Sequence, residues 1–381
     1  MKRIISVTTG TRADYGFLRP ILKKMSQSKK LEYRLIVAGM HLSKKHGMTI
    51  NEIKKDDFSI HAKVPMVPQK DSLNSMATTL GNGIVSFSKV FQKVHPDINL
   101  ILGDRDEMLA SALAACHMNI PNAHIHGGDV SGGIDEYNRH AITKISNIHF
   151  AATKKSRERI IKMGENPKYV LFTGSPSIDE IKQKNITTKF ELEEKYNLKF
   201  SKNEILLVFH PVTTQVNKTH KQIQNILKAI LKTKKPTIAI FPNSDIGNKS
   251  IFENLIKFSK RYQPIQLYSS LPRADYLGLL KNCGVLVGNS SSGLIEGTYF
   301  NISVVNIGSR QNQRERGENV MNVENESPNS IYNAIMKALH RKDKKFKKQH
   351  IYGKGTASKK IVNYLEKVKI KDELIQKKLS Y

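Results

Sequence analysis

The amino-acid sequence predicts an α/β protein with two tandem domains, each built around a parallel β-sheet of the doubly wound type. Three observations support this fold class. Short β-branched runs alternate with longer amphipathic segments from end to end, which is the pattern of βαβ units. The alternation restarts after the polar stretch Asn197–Asn203. The 381 residues are too many for one ordinary core and suit two domains.

The first series of elements contains strand and helix patterns in alternation. Its predicted strands are Ile4–Thr9, Arg34–Ala38, Ile98–Leu102, Ala123–His126, Ile148–Ala152 and Val170–Thr173. Its predicted helices include Gly16–Ser26, Ser75–Val94, Glu107–His117 and Lys154–Met163.

The second series restarts with strands and ends in a helix. Its predicted strands are Ile205–Phe209, Ile238–Phe241, Ile265–Tyr268, Val285–Gly288 and Val304–Ile307. Apolar residues at helical spacing predict a terminal amphipathic helix over Ser358–Leu379. The expected domains are residues 1–175, residues 176–357 and the C-terminal helix 358–381. Tandem doubly wound domains bind ligands in the crevice at the carboxyl ends of their strands.

Charge and composition limit the functional classes. Lys and Arg number 62 against 33 Asp and Glu, which gives a formal net charge of +29. The segment from Arg341 to Tyr381 contributes +10 of this, and the rest is spread along the chain. Aromatic residues do not interleave with the basic clusters, as a platform for single-stranded nucleic acid would require. We therefore interpret the excess as a solvated surface that helps to attract an anionic substrate, and expect no nucleic-acid or membrane partner.

The remaining composition is typical of a cytoplasmic protein. Cys116 and Cys283 are far apart and match neither a disulfide framework nor a zinc-ligand spacing. The basic N-terminus precedes a short apolar run that ends in a polar turn, which predicts a first strand rather than a signal peptide. No apolar run approaches the length of a membrane span.

The first strand leads into a turn suited to a phosphate group. The turn is Gly10-Thr-Arg12-Ala-Asp14-Tyr-Gly16, and its backbone N–H groups and helix dipole favour an anion. Arg12 adds a forked donor for a diphosphate. The G-x-G-x-x-G dinucleotide fingerprint is absent, and a surface arginine beside a turn is the ordinary alternative.

A second strand-to-helix turn in the other domain carries hydroxyl groups. It is Ser290-Ser291-Ser292-Gly293, which offers side-chain and backbone donors to phosphate oxygens. Glu296, one helical turn later, is suited to accept from the vicinal hydroxyls of a ribose. N-capping by serine is the alternative interpretation. The loop after the last strand adds further cationic and amide groups at Arg310, Gln311 and Arg314.

Acidic and histidine residues follow the neighbouring strands. Asp104 comes directly after a predicted buried strand, and the next strand ends in His124-Ile-His126-Gly-Gly-Asp129. Period-two spacing predicts that His124 and His126 share one strand face. This cluster is suited to proton transfer, or alternatively to a metal ion; the glycines after His126 favour close approach of a ligand.

Two further groups complete this inventory. Asp135-Glu136 and Arg139-His140 lie in a loop that enters a helix. His210 ends the first strand of the second series, at the expected binding edge.

These motifs together resemble the hydrolysing UDP-N-acetylglucosamine 2-epimerases of sialic- and legionaminic-acid biosynthesis. The resemblance covers nearly the whole chain and rests on several motifs in order: Gly10–Gly16, Ala38-Gly-Met-His41, Leu102-Gly-Asp-Arg105, His124–Asp129, Arg139-His-Ala-Ile-Thr-Lys144, Phe209-His-Pro-Val-Thr-Thr214, Ser291-Ser-Gly293 and Gly308-Ser-Arg-Gln311. It implies a glycosyltransferase-B-type architecture, with two Rossmann-like domains facing a cleft and the C-terminal helix returning to the first. It also implies no cofactor, no metal, and a homo-oligomer, either a dimer or a tetramer.

The resemblance further implies a reaction and a set of site residues. Anti-elimination of UDP from a UDP-amino sugar forms a 2-acetamidoglucal, and water then adds to give the free 2-epimer. By the resemblance Asp104 and Asp135 are the acid/base candidates, and Glu296 holds the ribose. Arg12, His210, Ser291 and Arg310 hold UDP, with His210 also a catalytic candidate, and His41 faces the sugar. The substrate-binding set is completed by Asp14, Ser244, Ser290, Ser292, Gly293, Gln311 and Arg314.

Two questions stay open at this stage. Some members of the family carry Glu where this chain has His126, so His126, Asp129 and Glu136 are alternative second proton-transfer groups. The sugar is either N-acetylglucosamine or its 2,4-diacetamido-2,4,6-trideoxy relative. The competing functions are a non-hydrolysing epimerase, a UDP-sugar glycosyltransferase, a metal-dependent hydrolase, and a basic protein that binds nucleic acid or membrane.

Overall fold

The computed structural model describes residues 2–44, 47–70, 72–183, 186–243, 245–341, 346 and 350–380. They form two compact α/β units. Unit 1 comprises Met1–Val130, Asp135–Gln183 and Tyr352–Tyr381, and unit 2 comprises Ser131–Ile134 and Lys184–Ile351. The boundaries at 175/176 and 357/358 stay predictions, and the chain passes between the two units at 130/131, 134/135, 183/184 and 351/352.

Unit 1 contains a parallel sheet of seven strands in the order β3-β2-β1-β4-β5-β6-β7. This is the Rossmann strand order with one strand added. The strands are β1 (Arg3–Thr9), β2 (Leu31–Ala38), β3 (Ile60–Val64), β4 (Ile98–Leu102), β5 (Asn122–Ile125), β6 (Ile148–Ala151) and β7 (Val170–Phe172). The helices are α1 (Arg12–Ser26), α2 (Ile50–Lys55), α3 (Leu73–Val94), α4 (Asp106–His117), α5 (Ile134–Lys144), α6 (Lys154–Lys162) and α7 (Pro176–Lys182).

Unit 2 contains a second parallel sheet, in the order β10-β9-β8-β11-β12-β13. Its strands are β8 (Ile205–Val208), β9 (Thr237–Ile240), β10 (Ile265–Tyr268), β11 (Val285–Gly288), β12 (Ser303–Ile307) and β13 (Val320–Val323). Its helices are α8 (Lys189–Tyr196), α9 (Val216–Thr233), α10 (Asn248–Ser259), α11 (Arg273–Asn282), α12 (Ser291–Phe300) and α13 (Pro328–His340). The predicted fold class of two Rossmann-like domains is confirmed.

The C-terminal segment of unit 1 consists of two helices instead of the one predicted. They are α14 (Ala357–Lys367) and α15 (Asp372–Ile375). Apolar residues of α14, including Ile361 and Leu365, are buried in the core of unit 1 with residues of β1 and α1. The Asp179 carboxylate caps α14, because it accepts from the Ala357 and Ser358 amides at 2.9 and 2.7 Å.

Two strands, β3 and β13, were not predicted from the sequence. Both lie at sheet edges. Val64 is the single buried residue of β3, and Val323 is the single buried residue of β13. β3 alternates apolar and polar residues, and β13 is interrupted by Asn322, so neither carries the apolar run that indicated the other strands. Among the residues that the structure describes, none of the helices combines the length and the hydropathy that a membrane crossing needs.

Candidate active site

The turn after β1 is held by its own carboxylate. Asp14 accepts from the Thr9 hydroxyl and from the Gly10 and Thr11 amides, each at 2.9 Å. The Thr11 hydroxyl accepts from the Asp14 amide at 3.3 Å, which completes a capping box at the start of α1. Burial raises the pKa of Asp14, while these donors lower it. The structure therefore places Asp14 within the framework of the turn.

His41 lies inside unit 1, in the short helical turn Gly39–Leu42 after β2. Its side chain has no exposed surface. Nε2 is 3.0 Å from the Thr9 hydroxyl and Nδ1 is 2.7 Å from the Thr49 hydroxyl. Burial lowers the pKa of His41 to about 3, so the ring is neutral at physiological pH. Its observed contacts support the turn after β1.

Glu107 is a buried residue beside the turns after β1 and β2, and it was not among the predicted residues. It is the second residue of α4, its side chain is buried, and it accepts from Arg105 Nε at 3.3 Å. Burial raises its pKa, which Arg105 opposes. A Cβ added to Gly10 would lie 2.9 Å from Glu107 Cδ, and one added to Gly39 would overlap Glu107 Oε1. The glycines of the first two strand ends thus make room for this carboxylate. No local motif signals it, because the glycines are distant in sequence.

We expect Gly39→Ala to lower the free energy of unfolding by at least about 2 kcal/mol. Gly39 has φ +57°, which disfavours a side chain, and the new methyl group would overlap Glu107. Gly81→Ala is the matched control, because Gly81 lies in α3 with open space around it and Ala favours a helix by about 1 kcal/mol. Urea unfolding measures both. Equal stability of the two variants would contradict the packing argument.

Arg12 begins α1 and pairs with a carboxylate of unit 1. Its guanidinium is 2.7 Å from Glu52 Oε1 on α2, and its side chain is 19% exposed. Burial raises the pKa of Glu52, and the Arg12 charge lowers it. The pair holds Arg12 at the N-terminus of α1 with its side chain partly exposed.

Asp104 and α5 are brought together by an arginine. The Arg139 NH2 group donates to Asp104 Oδ2, and Asn138 Nδ2 donates to Asp106 Oδ1 at 2.8 Å. Asp104 keeps 17% of its side chain exposed, whereas Arg139 keeps 4%. Asp135 lies four residues before Arg139 on α5, so both side chains project from the same helix face. The structure therefore brings Asp104 to the face of α5 that carries Asp135.

His126 lies beyond the end of β5, and the prediction that it shares a strand face with His124 was wrong. β5 ends at Ile125, and His126 has φ +65°, so the alternation of side chains stops there. His124 Nε2 bonds to the Gly103 carbonyl at 2.7 Å in the interior, and burial lowers its pKa to about 3. The His126 ring instead lies between Asp129 (Nδ1, 3.1 Å) and Ser175 (Nε2, 3.0 Å).

The three alternative proton-transfer groups differ in exposure. Asp129 has no exposed surface, and its second oxygen accepts from Ser156 Oγ at 2.6 Å. His126 is 3% exposed. Glu136, on the first turn of α5, keeps 30% of its side chain exposed and pairs with His140 at 2.8 Å. Asp129 and His126 thus belong to the interior of unit 1, and Glu136 to its surface.

In unit 2 the serine-rich turn begins α12. Ser290 is the N-cap residue, since its hydroxyl accepts from the Ser292 amide at 3.3 Å, and Ser291 is the first helical residue. Gly293 faces the sheet: a Cβ there would lie 2.8 Å from Val304 Cγ1. It therefore allows the helix to pack closely on β12. Both the capping and the anion-binding interpretations of this turn are compatible with its geometry.

Glu296 is fully buried on α12 and is held by an arginine that the candidate set lacked. Arg273 NH2 donates to Glu296 Oε1 at 2.5 Å. Glu296 Oε2 has no hydrogen-bond partner among the described residues. The Tyr276 ring lies 5.9 Å from the Arg273 guanidinium. Burial raises the Tyr276 pKa, as does the charge of Glu296. A buried carboxylate oxygen of this kind is suited to a donor such as a ribose hydroxyl.

His210 follows β8 and is fixed on two sides. Its amide donates to Asn289 Oδ1 and its carbonyl accepts from Asn289 Nδ2, both at 2.8 Å. The Asn243 amide donates to His210 Nδ1 at 3.2 Å. Nδ1 is therefore an acceptor, and Nε2 carries the ring hydrogen. The ring offers an N–H donor, which suits a phosphate oxygen.

The loop after β12 completes unit 2. Gln311 is buried, and it donates to the Asn289 carbonyl at 3.1 Å and accepts from Arg314 NH1 at 3.2 Å. The Arg310 carbonyl accepts from the Gly132 amide at 2.8 Å, within unit 2. The candidate Ser244 lies outside the described residues. Among those described, no three His, Cys, Asp or Glu side chains are grouped to hold a metal ion.

Comparison with known proteins identifies the family of this chain. The family model described as UDP-N-acetylglucosamine 2-epimerase matches residues 23–366. A UDP-N,N'-diacetylbacillosamine 2-epimerase (hydrolyzing) of Legionella pneumophila is 39% identical over 381 residues, which is 100% of each chain. A UDP-N-acetylglucosamine 2-epimerase of Neisseria meningitidis is 33% identical over 338 residues, covering 89% of this chain and 88% of the other.

A solved structure shares the fold. The UDP-GlcNAc 2-epimerase of Neisseria meningitidis bound to UDP-GlcNAc aligns with a TM-score of 0.81 at 19% identity, covering 96% of this chain and 100% of the other. Together with the family match and the full-length relative, this confirms the resemblance stated from the motifs. The chain belongs to the UDP-N-acetylglucosamine 2-epimerase family.

Proposed function

We propose that this chain is a hydrolysing 2-epimerase of a UDP-2-acetamido sugar. The observation that carries the proposal is the pairing of Asp104 with Arg139, one turn beyond Asp135 on the same face of α5. One carboxylate bonded to the guanidinium and a second on the same face of the helix suit a reaction that removes a proton from carbon and returns one to it. Membership of the epimerase family supports the same reaction.

The proposed reaction has two steps. A base removes the C2 proton while the C1–O bond to UDP breaks, which leaves a 2-acetamidoglucal. Water then adds and places its hydroxyl group at C1. A proton is delivered to C2 on the face opposite to the one that lost the first proton, so the free sugar is the 2-epimer. The C2 proton is weakly acidic, so a positioned carboxylate base and stabilisation of the leaving diphosphate must both lower the barrier to elimination. We assign Asp104 to one proton transfer and Asp135 to the other.

The alternative second groups are ranked by exposure. Glu136 stays an alternative to Asp135, because it shares the first turn of α5 and is 30% exposed. His126 and Asp129 have almost no exposed surface and are held by hydrogen bonds. We assign these two to the support of the site.

Unit 2 supplies the proposed nucleotide contacts. Glu296 accepts from the ribose hydroxyls, and the His210 Nε2–H and the N-terminus of α12 at Ser291 donate to the diphosphate. Arg310, Ser292 and Arg314 are further candidates for the diphosphate, and Arg12 of unit 1 is proposed to contact it as well. Asp14, His41, Ser290, Gly293 and Gln311 act by shaping these turns.

The proposed sugar is the 2,4-diacetamido-2,4,6-trideoxy one, with N-acetylglucosamine as the second candidate. The relative named for diacetylbacillosamine is 39% identical over both full chains, against 33% for the one named for N-acetylglucosamine. The proposed setting is legionaminic- or sialic-acid biosynthesis in the cytoplasm, in keeping with two free cysteines. A homo-oligomer without cofactor, metal, nucleic-acid or membrane partner is the proposed active form.

Product analysis in heavy water tests the proposal. The protein is incubated with each UDP-sugar in D2O, and the products are identified by NMR. We expect UDP and a free 2-epimeric sugar that carries deuterium at C2. A UDP-linked epimer would instead indicate a non-hydrolysing epimerase. Sugar transfer to an added acceptor with C2–H retained would indicate a glycosyltransferase, and loss of activity with a chelator would indicate a metal-dependent hydrolase.

Glu296→Gln should weaken UDP binding about tenfold, since a charged acceptor contributes about 1.5 kcal/mol or more to a hydrogen bond. Affinity for 2′,3′-dideoxy-UDP should change little, because that ligand lacks the hydroxyls. Calorimetric titration measures both ligands. Asp275→Asn is the matched control, since Asp275 is a buried acid of α11 whose carboxylate is bonded to Thr187, Lys195 and Tyr196. An equal loss for both ligands would contradict the ribose role.

A further inference from the structure

Arg139 joins Asp104 to the main chain of the β5 turn. One terminal nitrogen donates to Asp104 Oδ2, and the other donates to the His126 carbonyl at 2.9 Å. The Arg139 side chain is 4% exposed, so its guanidinium is almost entirely buried. The two ends of the guanidinium thus hold a catalytic candidate and a backbone carbonyl at the same time.

The His126 carbonyl is itself held in place by its own side chain. Its backbone has φ +65°, a conformation that non-glycine residues seldom adopt and that costs about 1 kcal/mol or more. The imidazole bonds to Asp129 on one side and to Ser175 on the other. Asp129 is fixed in turn by the Ser156 hydroxyl. These contacts compensate the strained backbone and fix the direction of the carbonyl.

We propose that Arg139 is a positioning residue for Asp104, and that His126 and Asp129 act on the reaction only through Arg139. This inference rests on the proposed function and on the proton-transfer role of Asp104 in it. The chain of contacts runs from Ser156 through Asp129 and the His126 carbonyl to Arg139 and Asp104. Its purpose is geometric: a planar guanidinium with two fixed partners keeps the carboxylate of a partly exposed aspartate in one orientation.

A double-mutant cycle tests the positioning role. Arg139→Met, Asp104→Asn and the double variant are compared for kcat, KM and UDP affinity. We expect Arg139→Met to lower kcat about tenfold to a hundredfold with UDP affinity unchanged, since a misplaced group costs up to about a hundredfold. In the Asp104→Asn background the same substitution should cost almost nothing further. Losses that multiply in full would overturn the inference.

The same cycle separates the roles of His126. His126→Asn keeps a residue that tolerates the left-handed backbone, but it removes the ring that bonds Asp129 and Ser175. We expect a loss of kcat that disappears in the Asp104→Asn background and leaves the pH profile of kcat unshifted. A loss that persists there, together with a missing limb of the pH profile, would make His126 a proton-transfer group and overturn the inference.

Arg159→Met is the matched control. Arg159 is another unit 1 arginine that donates to a carbonyl of the same loop, at Gly128 and 2.8 Å, without contacting Asp104. The fold-loss of kcat in the Arg159→Met, Asp104→Asn double variant should equal the product of the fold-losses in the two single variants. If Arg139→Met does not fold, Arg139→Lys replaces it, because lysine keeps the charge but loses the fork, and it should reproduce the coupled loss.

A readout without turnover keeps this test separate from that of the proposed function. The Asp104→Asn and Arg139→Met substitutions are also combined in urea unfolding. We expect the shift of the unfolding midpoint in the double variant to be clearly smaller than the sum of the shifts in the two single variants. Full additivity would overturn the inference even if the wild type releases no UDP, whereas coupled shifts in an inactive wild type would count against the proposed function alone.

Discussion

Asp104→Asn should lower turnover by a factor of about a hundred or more, because acid–base roles are typically worth that much. UDP affinity should stay within about twofold of the wild type, since Asp104 is not among the proposed nucleotide contacts and the substitution keeps the size of the side chain. Steady-state kinetics of UDP release and calorimetric titration with UDP measure the two quantities.

Asp97→Asn is the control for this prediction. Asp97 precedes the same strand, β4, at the opposite end from Asp104, is exposed, and accepts a hydrogen bond from the Ile4 amide at 2.7 Å. Its amide variant should turn over at the wild-type rate. If Asp104→Asn did so as well, Asp104 would have no part in the mechanism.

Glu165→Gln should lower the free energy of unfolding at neutral pH by at least about 2 kcal/mol. The Glu165 side chain is 2% exposed and accepts from Lys144 at 2.7 Å, His149 at 3.1 Å and Lys377 at 2.6 Å. Lys377 lies just after α15, so this carboxylate ties the C-terminal segment to Lys144 of α5 and His149 of β6. Asn147 adds a second tie, since its side chain donates to the Leu374 carbonyl at 2.7 Å.

The loss of unfolding free energy in Glu165→Gln should become smaller as the pH falls. Burial raises the pKa of Glu165, but the hydrogen bonds from His149, Lys144 and Lys377 outweigh it and lower the pKa to about 2, from an ordinary value of 4.5. A depressed carboxyl pKa contributes stability that is present above the unfolded value and is lost as the pH falls towards the folded one. The difference between wild type and Glu165→Gln should therefore narrow from about pH 5 towards pH 2.

Urea unfolding at a series of pH values measures this difference. Glu194→Gln is the control, because Glu194 is an exposed residue of α8 and its amide variant should match the wild type within about 0.5 kcal/mol. A gap between wild type and Glu165→Gln that is constant from pH 7 to pH 3 would contradict the assignment of the stability to an ionised Glu165.

The central strands of both sheets could be predicted from the sequence because their signals are local. All eleven predicted strands are present, with bounds that differ from the observed ones by a few residues. β3 and β13 were missed because polar residues interrupt their short sequences, whereas the edge strands β7 and β10 were predicted. The terminal helix was predicted as one element, although the chain leaves the helix at Val368 and re-enters at Asp372.

The positions of the candidate residues along the chain were predictable, whereas their contacts were not. Asp104, His126, His210 and the serine turn all follow strands, and within each sheet the carboxyl ends of parallel strands lie at the same edge. The local patterns did not indicate that His126 leaves its strand in a left-handed conformation. Glu107 and Arg273 were missed for a related reason: each is recognisable only by the groups around it.

The sequence by itself determined the fold class, the central strands and the family, because apolar periodicity and short motifs are properties of neighbouring residues. Only the tertiary structure decided which groups support one another. Asp104 and Arg139 are 35 residues apart, Arg273 and Glu296 are 23 apart, and Glu165 meets a lysine from the end of the chain. Such pairs form because folding brings distant charges into the same poorly hydrated space, where an unpaired charge would be costly.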